Sequence, residues 1–150
     1  MLLKGETIMN EEKVVEMFKE GFDCGQVITL AIAEDLGIDR QTALKSAAAF
    51  GGGTFDAGIC GAYIGGLIAL GFKYGHSRAN DLVAKGKMIG KVCEYKEEFS
   101  KLHCGKIGCS EILGYNLTVE EDSKIIQEKN LLFTVCPKLV LDVINLVRKI

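Results

Sequence analysis

The sequence predicts an all-α fold, a single-domain bundle of about six helices, on three observations. Apolar residues recur at helical spacing almost from end to end, and alternating strand patterns are nearly absent. The one proline in 150 residues, Pro137, stands where a helix can begin.

The elements follow in order. A first helix is expected from about Asn10, a suitable N-cap, with Val14, Val15, Met17, Phe18 and Phe22 on its apolar side. Residues 1–9 read as a loose N-terminal extension of the one domain, 1–150. A second helix runs from about Cys24 to Leu36, with Val27, Ile28, Ala31 and Ile32 inward and Gly37 as its stop. Asp39 caps a third, through Ala43, Leu44, Ala47 and Ala48, that ends at Gly51-Gly52-Gly53. The fourth begins near Cys60 and ends at Gly71. A long fifth, about 77–99, puts Ala79, Leu82, Gly86, Ile89 and Cys93 on one stripe, which assigns Cys93 to the core. Short helical turns are expected after Cys109 and Thr118, and LLFTVC, 131–136, is the one run that suits an extended segment. The last helix opens at Cys136-Pro137 and carries Leu139, Val140, Val143, Ile144 and Val147.

Composition removes several functions. With 48% hydrophobic and 25% charged residues the chain can bury an ordinary core. A net charge of −2, a pI near 5.7 and no evident Lys/Arg cluster argue against nucleic-acid binding. The start lacks the apolar region of a secretory signal, and the longest apolar stretch, 59–72, is too short to span a bilayer. A cytoplasmic protein without membrane insertion is expected, in a compartment where six cysteines stay reduced.

Four of those cysteines open predicted helices: Cys24 after Asp23, Cys60 after the glycine loop, Cys109 in CSEILG, and Cys136 before Pro137. Unpaired N–H groups and the positive end of the helix dipole favour a thiolate there, suited to nucleophilic chemistry or to metal. Intervals of 35, 48 and 26 residues form no local zinc or C-x-x-C motif, so the fold must assemble any site. Gly58 and the glycines at 51–53 can turn backbone N–H groups toward a sulfur, while Gly61, Ala62, Gly65 and Gly66 admit close approach beside Cys60. Cys104, in HCGKIGC, lies in a loop with Cys109 at C-x₄-C spacing, and His103 beside it reads as a solvated loop residue before a ligand. Capping is the default role of Asp23, with tuning of a site open to it and to Asp56.

Cys24, then CGAYIGG from Cys60, then GCSEILGYNL with Cys109, then Cys136 resembles the C_GCAxxG_C_C family of redox-active proteins over about residues 14–147. Its most specific parts are GGG…CGAxxGG…ALGFKYG, 51–75, and C-x-x-[IL]-L-G-Y from Cys109 to Tyr115. The resemblance implies a small helical redox protein whose four family cysteines are Cys24, Cys60, Cys109 and Cys136, with Cys104 as a substitute ligand and Cys93 outside the pattern. The family's domain is also similar to part of the split-Soret cytochromes, but this chain lacks their haem-binding motifs and no haem is expected.

Three functions compete at that point. The first is an iron–sulfur cluster, most simply [2Fe–2S], for electron transfer or redox sensing with an unidentified redox partner protein; such a cluster is readily lost on purification. The second is a metal-free dithiol–disulfide oxidoreductase using the same four cysteines, and the third a Cys₄ zinc-stabilised binding module. A homodimer would suit the glycine-rich helix faces.

Overall fold

The computed structural model describes residues 8–150, so most of the expected extension lies outside the described residues; within it Met9 packs against the core. The described chain is helical, with α1 Glu11–Lys19, α2 Cys24–Leu36, α3 Arg40–Ser46, α4 Gly61–Tyr74 and α5 Leu82–His103. The short α6 Cys109–Leu113, α7 Glu120–Glu128, α8 Leu131–Thr134 and α9 Cys136–Lys149 complete it. Among the described residues nine helices replace the expected six, because the turns after Cys109 and Thr118 are helices themselves and LLFT is a helical turn, not an extended run. Among the described residues there is no strand, only an isolated antiparallel bridge between Ile59 and Gly108.

Local chemistry accounts for the starts and stops. Asn10 accepts from the Lys13 N–H at 2.8 Å, Asp39 from Thr42 at 2.8 Å, and Asp81 from Ala84 at 3.0 Å. Gly37 closes α2 in the left-handed region at φ 71°. Asp81 is the reason α5 begins at Leu82 rather than near Ser77.

α2 is the central helix. It is apolar on nearly every side, and Val27 through Ala33 are all buried between α3, α4 and α9. Amphipathic α9 buries Leu139, Val140, Val143, Ile144 and Val147, as the sequence predicts. Its end is clamped to α2 by Arg148, whose Nε and Nη2 donate to the two Asp35 carboxylate oxygens at 2.8 and 3.0 Å.

The fifth helix is rotated from its expected setting. Leu82 and Ile89 are 75% and 56% exposed and Cys93 is exposed too, so Cys93 is not a core residue. The buried side belongs to Tyr95 and Phe99, which pack on Tyr63 with ring centroids 5.7 and 4.9 Å away. The Tyr95 hydroxyl donates to the Tyr63 carbonyl at 3.0 Å. Two bulky aromatics with an anchored hydroxyl bury more apolar area than Leu82, Ile89 and a thiol, and they decide which side faces inward.

Candidate functional site

Glycines bring α2 and α4 together at their heads. A Cβ on Gly25 would stand 2.9 Å from the Gly61 carbonyl oxygen, and one on Gly61 would strike the carbonyl oxygen of Phe50. The small face of α4 is therefore spent inside the chain, holding Cys24 and Cys60 at adjacent helix starts.

A two-bond ladder joins Cys60 to Cys109. The Cys60 N–H donates to the Ile107 carbonyl and the Cys109 N–H to the Gly58 carbonyl, both at 2.7 Å. The glycine loop closes over this ladder as a π-turn, Gly53–Ala57. Gly53 has φ 65°, and a Cβ there would meet Cys109 Cβ at 2.8 Å, so only glycine fits. Thr54, Phe55 and Ala57 also take positive φ. Gly58 instead has φ −80°, and its N–H donates to the Gly53 carbonyl at 2.8 Å, which spends that donor within the loop. Asp56 serves the loop as well, accepting from the Thr54 hydroxyl at 2.8 Å.

Cys24, Cys60, Cys109 and Cys136 line one cavity of 310 Å³, together with Asp23, Gly52, Gly53 and Gly61. It lies between the main core and a smaller cluster built on Leu113, Ile126 and Cys136. The remaining walls are apolar: Phe18, Phe22 and Phe55 with Leu117, Leu132, Phe133 and Leu139 among others. Sequence reasoning missed most of these walls; Phe22 two residues before Cys24 and Phe133 three before Cys136 are the local signal it could have used.

The remaining candidates lie elsewhere. Cys104 is exposed at the C-cap of α5 with φ 55°, away from the cavity lining. His103 ends α5 rather than lying in a loop; its ring packs on Phe99 at 4.7 Å. Its Nε2 has no hydrogen bond and lies 3.6 Å from Asp142 Oδ2, a contact that is an ion pair only when the ring is protonated. Burial lowers the His103 pKa, with Asp142 opposing.

The thiols influence one another. Burial and the neighbouring Cys60 and Cys136 push Cys109 up to about 12. Burial also raises Cys60, although the backbone N–H groups of Tyr63 and Ala62 at the head of α4 oppose the rise. Cys24 and Cys136 act on one another as neighbouring thiols, which raises Cys24 and lowers Cys136. The expected thiolate preference thus holds for Cys136 alone, and there a neighbouring thiol supplies it. At Cys24 the neighbouring Cys136 and then desolvation outweigh the helix end, and at Cys60 and Cys109 desolvation and like charge do.

Among the described residues no three His, Cys, Asp or Glu side chains are grouped closely enough to hold a single metal ion. The donor set is four sulfurs around a cavity with largely apolar walls, and negative charge on any one of them disfavours charge on its neighbours.

Comparison with known proteins agrees with the cysteine pattern. The family model described as "Putative redox-active protein (C_GCAxxG_C_C)" matches residues 22–150. No curated protein and no solved structure matches the chain. A match that takes in all four cavity cysteines and nearly every helix places this chain in the redox-active C_GCAxxG_C_C family.

Proposed function

We propose that the protein binds an iron–sulfur cluster, most simply [2Fe–2S], through Cys24, Cys60, Cys109 and Cys136, and serves electron transfer or redox sensing. The observation that carries this reading is the meeting of four cysteines, from four separate helix heads, in one cavity. When bound, such a cluster supplies one-electron chemistry. A diiron centre spreads four thiolates over two metals and so asks for a wider set of sulfurs than a single zinc.

The chain's own groups fit that role. Cys60 stands at the N-cap of α4, where the backbone N–H groups of Ala62 and Tyr63 favour negative charge on its sulfur, an arrangement that raises a cluster's potential. Phe22, Phe55 and Phe133 give the cavity apolar walls, and Gly53 lets the backbone lie against Cys109. The test is iron, sulfide and visible absorption of protein purified anaerobically and reconstituted with iron and sulfide. Sulfide-linked iron that is lost in Cys60→Ser and kept in Cys104→Ser supports the reading; a colourless protein after reconstitution overturns it.

A second reading rests on Cys24 and Cys136, which line the same cavity and shift one another's protonation. Two thiols so placed can form a disulfide, passing two electrons and two protons to a disulfide of a partner protein. A protein that binds no iron and loses two titratable thiols on mild oxidation would favour this dithiol–disulfide chemistry.

A further inference from the structure

The exposed side of α5 has properties the redox site does not use. From Leu82 to Glu94 this helix buries no residue, yet Leu82, Val83 and Ile89 are 75%, 87% and 56% exposed. Leu82, Gly86, Ile89 and Cys93 stand one above another on that side. Nothing lies within 4 Å of where a Cβ on Gly86 or Gly90 would be, so no internal packing accounts for two helix-weakening glycines.

Charge singles out the same region. Between residues 73 and 91 the chain carries Lys73, Arg78, Lys85, Lys87 and Lys91 against one carboxylate, Asp81, in a protein whose net charge is −2. That carboxylate is occupied as the cap of α5. Lys73, Lys87 and Lys91 gather around the Tyr74 ring at 5.3, 5.1 and 5.3 Å from its centre. Lys73 and Lys91 also donate to carbonyl oxygens of α9 and Ile150. Arg78, Lys85 and Lys87 are exposed, and on the helix Lys85 and Lys87 flank the apolar stripe on opposite sides.

An apolar stripe bordered by lysines is the pattern of a helix that lies flat in a lipid interface, with its cations reaching the headgroups. We propose that the first half of α5 and the turn before it, through Arg78, Leu82, Val83, Lys85, Lys87 and Ile89, dock the protein on an anionic membrane surface. The attachment is peripheral, since no single described helix is long and apolar enough to cross a bilayer. A second copy of the chain is a weaker occupant. In an antiparallel pair centred near Gly90, Lys85 would face Lys96 of the other copy, which cancels what Lys87 would gain from Glu94.

Vesicle cosedimentation tests this with the full chain, on neutral phosphatidylcholine and on the same lipid with about one third phosphatidylserine. Partitioning is expected on the anionic vesicles only, weakening as salt rises. Lys85→Glu with Lys87→Glu should lower it at least about tenfold, since each basic residue at such a surface is worth roughly fivefold. Val83→Ser with Ile89→Ser should abolish it. Lys124→Glu with Lys129→Glu makes the same change in net charge elsewhere and should lower it far less. Circular dichroism must show unchanged helix content in each variant. Equal binding to both vesicles, binding to neither, or equal loss in the two charge-reversed variants overturns the proposal. So does self-association in solution that Val83→Ser with Ile89→Ser removes, because a second copy then covers the face.

Discussion

Gly65 of α4 lies against Gly25 of α2 so closely that a Cβ on Gly65 would stand 2.7 Å from the Gly25 Cα. No side chain intervenes, and the neighbouring atoms are backbone, which cannot swing aside. The separation of Cys24 from Cys60 depends on this contact.

Gly65→Ala is therefore expected to destabilise the fold by about 1–3 kcal/mol, the usual range for an overpacked core. Urea denaturation measures the loss. A variant as stable as the parent would mean that the two helices separate freely.

Gly66 and Tyr95 make a second tight pair, since a Cβ on Gly66 would collide with the Tyr95 hydroxyl. Tyr95→Phe should cost about 1 kcal/mol by leaving the Tyr63 carbonyl without its donor. Gly66→Ala should cost more, about 1–3 kcal/mol. Combined, they should cost less than their sum, because removing the hydroxyl relieves the nearest of the clashes even though two ring carbons still crowd the methyl group. A double-mutant cycle by urea denaturation measures the coupling, and strict additivity would contradict the geometry.

In the metal-free protein Cys136 should be alkylated faster than Cys60 or Cys109, since its pKa alone among the four is lowered. Cys24→Ala removes the neighbouring thiol responsible, so the Cys136 pKa rises and its labelling near pH 8 slows. Site-resolved mass spectrometry after iodoacetamide, with Cys93 and Cys104 changed to serine, reads the rates. Unchanged labelling of Cys136 in Cys24→Ala would sink the assignment.

Alkaline stability follows from the other thiols. Cys24, Cys60 and Cys109 have folded pKa values above the ordinary thiol value, so the folded chain keeps protons that the unfolded chain releases. Their contribution is intact below the ordinary thiol range, near pH 8.5, and falls as pH climbs toward the raised values, about 12 for Cys109. Each such group lowers stability by at most about 1.4 kcal/mol per pH unit across that window. Denaturation of the metal-free protein from pH 7 to 11 should show the decline, and serine at all three positions should flatten it.

Most helix starts, α5 excepted, were legible because their signals are local. A cap such as Asp39, a stop such as Gly37, or Cys136 before Pro137 acts within a turn or two of its own position. The setting of α5 was not legible, because Leu82-Gly86-Ile89-Cys93 and Tyr95-Phe99 are both helical stripes, on nearly opposite sides. Only Tyr63, more than thirty residues away, decides between them. The cysteine spacing named the family and four residues, and the structure gathers those four around one cavity. The ladder from 58–60 to 107–109 joins segments too distant for any local rule, and the protonation of each thiol depends on burial and on its neighbours.

Cys136 opens α9, more than a hundred residues after Cys24. During synthesis a growing chain that has reached only α8 can bring together three of the four sulfurs at most, and it still lacks the helix that packs on α1, α2, α4 and α5. Domains fold as units while they emerge from the ribosome. The cavity thus comes into being only when translation has passed α9, and unfinished or C-terminally clipped chains arrive without it.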